Sequence, residues 1–339
     1  MRKMLCLLLT SLMLMSLLII TASAEELTGK SAVEIVAQMG IGWNLGNTFD
    51  ATGGKPDDIY SQEQSWGNPI VDAALIKRVK DAGFTTIRIP VTWYRHVSDD
   101  GSYTINPAFM NRIKAVVDVA YNEGLYIILN MHHEAWLNTK TLDKDYEKMG
   151  VQLAAMWKQI AAAFAEYDQH LIFESMNEPR MAGTSVEWTG NKAGSNAVNY
   201  LNQVFVDTIR TDAVGHNGER ALMIPGYAAS STTTLMAAIT LPEWNDKQAE
   251  NLVISVHCYN PYDFCLSDKM TSFDPTNKSH TVSIDTVFSS IQRLFLNKGI
   301  PVVMGETGAT NTKNNTEARE NWAYSVSYTH LTLPTNVNV

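Results

Sequence analysis

The sequence predicts an α/β protein: a (β/α)8 TIM barrel lacking its eighth strand and closing helix. Three observations lead there. Short apolar or β-branched runs alternate with longer segments of helical period, the pattern of a parallel sheet with crossover helices. Seven such runs are present, more than a doubly wound sheet usually holds. The first run leads into Gly42-Trp43-Asn44-Leu45-Gly46-Asn47, which has neither the glycine spacing nor the lysine of a phosphate-binding loop.

In chain order, residues 1–24 read as a secretory signal: Arg2 and Lys3, the apolar run Met4 to Ile20, then Ala22-Ser23-Ala24 as the cleavage pattern. An uncleaved anchor is the competing reading, because the run is close to spanning length. The expected mature protein is exported, with no membrane partner after cleavage, and monomeric. Residues 25–325 form one catalytic-sized domain with no linker or low-complexity tract. Its strands are expected at Ile41–Leu45, Thr85–Ile89, Leu125–Asn130, Leu171–Met176, Ala221–Ile224, Leu252–His257 and Pro301–Gly305. Between them, Ile113, Val116, Val117 and Ala120 make one helical stripe, and Leu153, Met156, Trp157, Ile160 and Phe164 another. Asp81-Ala82-Gly83 and Asn122-Glu123-Gly124 each place a glycine where a helix should stop before a strand.

The charge is −9 over 339 residues, and −11 without Arg2 and Lys3. An acidic chain without a basic patch excludes nucleic acid and anionic membranes as partners and leaves neutral polymers or small molecules. Cys6 belongs to the signal. Cys258 and Cys265, within HCYNPYDFC, are either a disulfide of an exported protein or two buried thiols.

A barrel of this kind builds its site at the C-terminal ends of its strands. There the sequence places Trp43, Asn44 and Asn47; Arg88, then Trp93; His132, His133 and Glu134, then Trp136; Asn177 and Glu178; His257 and Tyr259; and Glu306. The opposite ends are plain helix-to-strand turns. Glu178 and Glu306, ending the fourth and seventh strands, would face each other across the mouth. Glycosidic cleavage needs such a pair, one carboxyl protonated at the leaving oxygen and one ionised. Arg88 suits the ionised group, Tyr259 could donate to the nucleophile, and Asn177 could bind the sugar 2-hydroxyl. Trp43, Trp66, Trp93 and Trp136 offer flat apolar faces for pyranose rings. Glu174, four residues before Glu178 on one strand face, should point into the barrel and need a partner, with Arg88 or a histidine as first candidates. The His132-His133 pair reads as a poor chelate, because adjacent strand residues face opposite ways, and His133 is expected behind the site. Trp157 and Trp322 read as core.

FESMNEPR, GWNLGNTFDA, WGNP, IRIPVTW, LNMHHE, SVHCYNP and VVMGETG together resemble glycoside hydrolase family five, the cellulase-type (β/α)8 retaining glycosidases, from about Gly40 to Trp322. The resemblance implies that Glu178 is the acid/base and Glu306 the nucleophile, that Arg88, His132, Asn177, His257 and Tyr259 line the cleavage site, and that no metal or cofactor takes part. GWNLGNT and HHE resemble the endoglucanase branch acting on β-1,4-glucans, including xyloglucan and mixed-linkage glucan. A mannan- or xylan-cleaving enzyme of the same family is the alternative, and a barrel that binds polysaccharide without cutting it is an alternative of another class. The retaining mechanism implies carboxyls about 5–5.5 Å apart. Residues 326–339 match no part of the family pattern, which calls for an eighth strand with a sugar-stacking tryptophan. They are expected to be a non-native tail, a divergent eighth strand being the competing reading. Strands one and seven are then left with open edges, and the chain should be weakly stable and weakly active.

Overall fold

The computed structural model describes residues 29–331 except 212, 268 and 313, together with 337–338. The expected signal sequence lies outside the described residues, as does the tail beyond Leu331 apart from 337–338. Five parallel strands come first: β1 (Gly42–Asn44), β2 (Thr86–Ile89), β3 (Tyr126–Asn130), β4 (Leu171–Glu174) and β5 (Leu222–Ser230). A two-stranded hairpin follows, β6 (Glu243–Trp244) with β7 (Lys247–Gln248), which sequence periodicity did not reveal. The barrel resumes with β8 (Leu252–Cys258) and β9 (Val302–Thr307). A short β10 (Val337–Asn338) pairs with β9 through Val302 and Val303, and the sheet order is β1-β2-β3-β4-β5-β8-β9-β10. All seven expected strands are therefore present. Among the described residues β10 and β1 do not pair, so the barrel has an open seam.

The period of two along each strand sorts side chains into two layers. Ile87, Ile127, Leu129, Leu171, Phe173, Leu222, Ile254 and Val302 face outward into the main core, against the helical stripes that carry Ile113, Val117, Leu153 and the wholly buried Trp157. Ile128, Ile172, Met223, Val253 and Val303 face inward and form a second cluster. Its floor is an N-terminal helix, Ala32–Met39, whose buried Ala32, Ile35, Val36 and Met39 plug the lower mouth of the barrel. Ser31 and Glu34 start that helix as a reciprocal capping box. Above the apolar layer the inward positions turn polar: Asn44, Arg88, Asn130, Glu174 and Ser255. The apolar plug below and the polar layer above give the barrel one reactive end.

The seam encloses a cavity of about 630 Å³ between β1 and β9, lined by Met39, Trp43, Met304, Trp322 and Val326 among others. Residues 326–331 do not form a strand; they continue the helix Thr316–Leu331, and Val326 is buried in the main core. Trp322 is buried, as expected, and its indole donates to the Asn260 carbonyl at 2.8 Å. Among the described residues no helix is long and apolar enough to cross a membrane.

Candidate active site

Arg88 organises the polar end. Its Nε donates to Glu174 Oε2 at 2.7 Å, Nη1 to Asn44 Oδ1 at 3.0 Å and to Glu306 Oε1 at 2.9 Å, and Nη2 to Asn177 Oδ1 at 2.8 Å. Burial would lower its pKa, but Glu174 and Glu306 together hold it above the ordinary guanidinium value. One β2 side chain thus ties the ends of β1, β4 and β9 together. Glu174 is fully buried and also accepts from Asn130 Nδ2 at 2.9 Å and Ser255 Oγ at 2.6 Å, which meets the expectation of a partnered interior carboxylate.

Glu306 ends β9 beside Gly305, an inward position where an added Cβ would lie 3.1 Å from Ser255 Oγ and 3.2 Å from His257 Nε2. A side chain there would push both neighbours, so only glycine lets β9 pass this close to β8. Tyr259 donates to Glu306 Oε2 at 3.0 Å. Burial, then the charge of Glu306, raises the phenol pKa well above its usual value and keeps it a donor. Burial also works against ionisation of Glu306, but His257, Arg88 and His132 outweigh it and hold the carboxyl far below the usual carboxylate range. His257 Nδ1 lies 2.8 Å from Glu178 Oε1 and 3.6 Å from Glu306 Oε2. Burial opposes its protonation, yet Glu306 and Glu178 raise its pKa above the ordinary value. One ligand atom from each of Glu178, His257 and Glu306 lies within 4.8 Å of the other two. His132 Nδ1 is 3.2 Å from the Asn130 amide nitrogen. Because that amide can only donate, Nδ1 is the acceptor and the ring proton sits on Nε2, 3.7 Å from Glu306 Oε1. Burial lowers the His132 pKa well below the usual value and keeps the ring neutral.

The structure therefore gathers Arg88, His132, Asn177, Glu178, His257, Tyr259, Glu306 and Asn44 into one cluster. Of the other five expected residues, it turns Trp93 and Trp43 away from the cluster. Trp93 is wholly buried, its indole bonded to the Asn130 carbonyl at 2.9 Å and its ring edge-on to Phe109, so no sugar can reach it. Trp43 pairs in register with outward-facing Ile87 and packs on the main core beside the seam; strand alternation sends it away from the mouth that Asn44 faces. Asn47 sits in a left-handed turn with φ of 57°, its amide N–H donating to Asp50 and its side chain exposed. Trp136 is half-buried, with its indole donating to Glu134 Oε2 at 2.7 Å. Trp66 remains exposed, its ring centroid 5.7 Å from that of His133. His133 is not behind the site. β3 ends at Asn130, and beyond it the two histidine rings turn to the same side, with centroids 4.4 Å apart.

Three further residues support the site, of which Arg180 and Asp50 were not among the expected ones. Arg180, directly after Asn177-Glu178-Pro179, places Nη1 3.1 Å from the Glu178 carbonyl and 3.6 Å from Glu178 Oε2, and its guanidinium carbon lies 4.3 Å over the Trp188 ring. Glu134 is wholly buried and accepts from the Trp93 and Tyr94 amides as well as from Trp136. Asp50 accepts from the Asn47 and Thr48 amides. Their immediate sequence proximity to NEP, HH and GNT was the available signal. Cys258 and Cys265 are free, buried thiols, so the pairing alternative is set aside; burial pushes the Cys258 thiol up to about 11.

A parallel barrel that holds an ionised carboxylate against an arginine and a tyrosine, opposite a second carboxyl paired to histidine, defines a two-acid hydrolase of glycosidic bonds. Comparison with known proteins agrees. Residues 49–333 match the family model described as cellulase, glycosyl hydrolase family 5. Endoglucanase B of Ruminococcus albus is 43% identical over 297 residues, 87% of this chain and 69% of that protein. A solved GH5-4 broad specificity endoglucanase from Ruminococcus flavefaciens superposes with a TM-score of 0.83 at 43% identity, covering 92% of this chain and 87% of the other. XEG5A, a GH5 xyloglucan-specific endo-beta-1,4-glucanase from a metagenomic library solved with cellotriose, superposes with a TM-score of 0.82 at 37% identity, covering 91% and 88%. The chain belongs to glycoside hydrolase family 5, the cellulase family.

Proposed function

We propose that the chain is an endo-acting β-1,4-glucanase that hydrolyses its substrate with retention of anomeric configuration, Glu306 acting as nucleophile and Glu178 as acid/base. The observation that carries the reading is the hydrogen bonding of Glu306 to Arg88 and Tyr259 with a Glu178 carboxyl oxygen within 4.8 Å of a Glu306 carboxyl oxygen. That spacing fits the short carboxyl separation of retaining enzymes, whereas inverting enzymes need ~6.5–9.5 Å to admit a water. In the first step a Glu306 oxygen attacks the anomeric carbon while Glu178 gives its proton to the departing glycosidic oxygen, leaving a glycosyl ester on Glu306. In the second, Glu178 takes a proton from water, the hydroxyl oxygen bonds to the anomeric carbon, and the ester C–O bond breaks. The 2.8 Å contact from His257 Nδ1 to Glu178 holds the acid/base carboxyl in place. Asn177 turns its carbonyl oxygen to Arg88, so its amide N–H groups are free to meet the sugar 2-hydroxyl.

Broad specificity in one structural relative and xyloglucan specificity in another support β-1,4-glucans, with xyloglucan and mixed-linkage glucan among the substrates. Incubation with a 2-deoxy-2-fluoro cellobioside should trap one glycosyl unit per chain on Glu306, read by peptide mass spectrometry. Label on Glu178, or product released first as the α-anomer in proton NMR, would overturn the assignment. A panel of β-glucan, xyloglucan, xylan and mannan separates the glucanase reading from the xylan and mannan alternatives.

A further inference from the structure

The most unexpected feature of the upper mouth is a second ligand-bearing cluster beside the two acids. One ligand atom from each of Asp50, His132 and His133 lies within 4.8 Å of the other two. The geometry that sequence alternation forbade is created by the end of β3. Past Asn130 the chain leaves the sheet, and the two imidazoles meet edge to face at 4.4 Å instead of pointing to opposite sides. The Asp50 side chain is brought in by the turn after β1, where it is held by amide N–H groups of Asn47 at 3.0 Å and Thr48 at 2.6 Å.

We propose that Asp50, His132 and His133 form a two-histidine, one-carboxylate site for a first-row divalent transition ion such as Zn²⁺, Cu²⁺ or Co²⁺, and that occupancy of this site inhibits the enzyme. Three such ligands leaving further positions open are a recurring set for these metals. Nitrogen and oxygen donors at roughly 2.0–2.2 Å from a tetrahedral ion stand a little over 3 Å apart, so small side-chain rotations close the cluster. The other candidate cluster, Glu178 with His257 and Glu306, is less favourable. There the Arg88 guanidinium already holds Glu306 at 2.9 Å. A metal drawing on His132 would pull it from Glu306, only 3.7 Å away, and would stand next to Trp66 in the path of the sugar. Inhibition should therefore compete with substrate. That last clause rests on the proposed glucanase reading, whereas metal binding itself does not.

The test uses Co²⁺ on the purified chain, read by visible ligand-field absorption, which needs no activity. The expected result is one saturating equivalent of Co²⁺, displaced by Zn²⁺, with affinity reduced at least roughly tenfold in Asp50→Asn and in His133→Gln and essentially unchanged in Glu178→Gln. On the wild-type chain alone, cellotriose should weaken apparent Co²⁺ affinity, and Zn²⁺ should raise KM with kcat little changed. This second pair of measurements keeps the proposal exposed if a variant fails to fold. Absence of saturable Co²⁺ absorption would overturn it. So would loss of the band in Glu178→Gln with retention in the other two, which would put the metal between the acids. Saturable binding without competition from cellotriose would keep the site and overturn its inhibitory role.

Discussion

Arg88 and Glu306 meet at 2.9 Å in a pair that is also locked from below, because the same guanidinium holds the wholly buried Glu174 at 2.7 Å. Removing Arg88 strands one carboxylate in the barrel interior and loosens Glu306 above it. Arg88→Ala is expected to cost about 3–5 kcal/mol of stability, the usual penalty for breaking a buried pair. Urea unfolding at neutral pH checks this. Glu174→Gln should cost less, since it keeps an acceptor for Arg88. Equal losses in the two variants would mean that the charge pair with Glu174, and not the one with Glu306, sets the energy.

The pH dependence follows from the opposite shifts of Glu306 and His257. Glu306 is depressed below its ordinary 4.5, so its share of stability is complete above that value and is lost only as pH falls through its lower folded value. His257 is raised above its ordinary 6.5, so its share is complete below 6.5 and is lost as pH rises through the higher folded value. Glu306 should therefore stay ionised across the whole acid range used in assays. The alkaline limb of kcat/KM should track the proton on His257. His257→Asn should move that limb while leaving the acid limb in place. A profile whose acid limb alone moved would contradict this.

Glu134 offers a cleaner titration. Burial pushes its carboxyl up to about 7 from an ordinary 4.5. The folded group binds its proton more tightly than the unfolded one, so its contribution is greatest below 4.5 and declines as pH rises to about 7. Glu134→Gln should flatten this slope. The same substitution is informative at Trp136. Oε1 takes the Trp93 and Tyr94 amides, while Oε2 takes the Trp136 indole N–H. A glutamine can satisfy one set only, and its amide would oppose the indole N–H. The expected cost is about 1–3 kcal/mol, largely restored by adding Trp136→Phe. A double-mutant cycle in thermal unfolding measures the coupling.

The tryptophans show where sequence reasoning reached and where it stopped. Strand ends were legible because apolar runs and glycine stops mark them: the seven expected barrel strands start within their expected segments, and only β5, which runs on to Ser230, ends more than two residues past its segment. Glu178, Glu306, Arg88, Asn177, His257 and Tyr259 were legible because they stand at those ends. Side-chain direction depends on strand register and on where a strand gives way to loop. Trp43 lies one residue from inward Asn44 and so faces outward, and Trp93 lies past β2 where the loop folds back onto Phe109. Strand alternation applied beyond Asn130 misplaced His133 for the same reason. The helix at Ala32–Met39 carried a readable capping box, Ser31 to Glu34, that went unused.

This sorting predicts different phenotypes for chemically identical substitutions. Trp66→Ala removes an exposed ring beside His133 and should raise KM several-fold with kcat and melting temperature nearly unchanged, the signature of lost uniform binding. Trp93→Ala opens a cavity in the core and should cost about 3–5 kcal/mol. Steady-state kinetics and unfolding of both variants, measured together, check the division. A Trp66 variant with wild-type KM on every β-glucan would remove it from the substrate path.

The seam makes the last prediction. β2, β3, β4, β5 and β8 each pair on both sides, whereas β1 pairs only with β2 among the described residues. β10 reaches β9 only at Val302 and Val303, below Gly305 and Glu306. The free edge therefore runs past the cavity toward the nucleophile, and an unpaired strand edge lacks the hydrogen bonds that slow local opening. Amides of Gly42–Asn44 should exchange with deuterium well before those of Tyr126–Asn130, and peptides containing Met304 to Thr307 should be intermediate. Because Asn44 holds both Arg88 and the Gly305 carbonyl, opening of β1 also loosens the nucleophile's support. Activity should then decline on warming before global unfolding, and the two losses should be separable by comparing an activity melt with a far-ultraviolet one. Uniform protection across β1 and β3, with coincident melts, would mean that the seam is closed in solution.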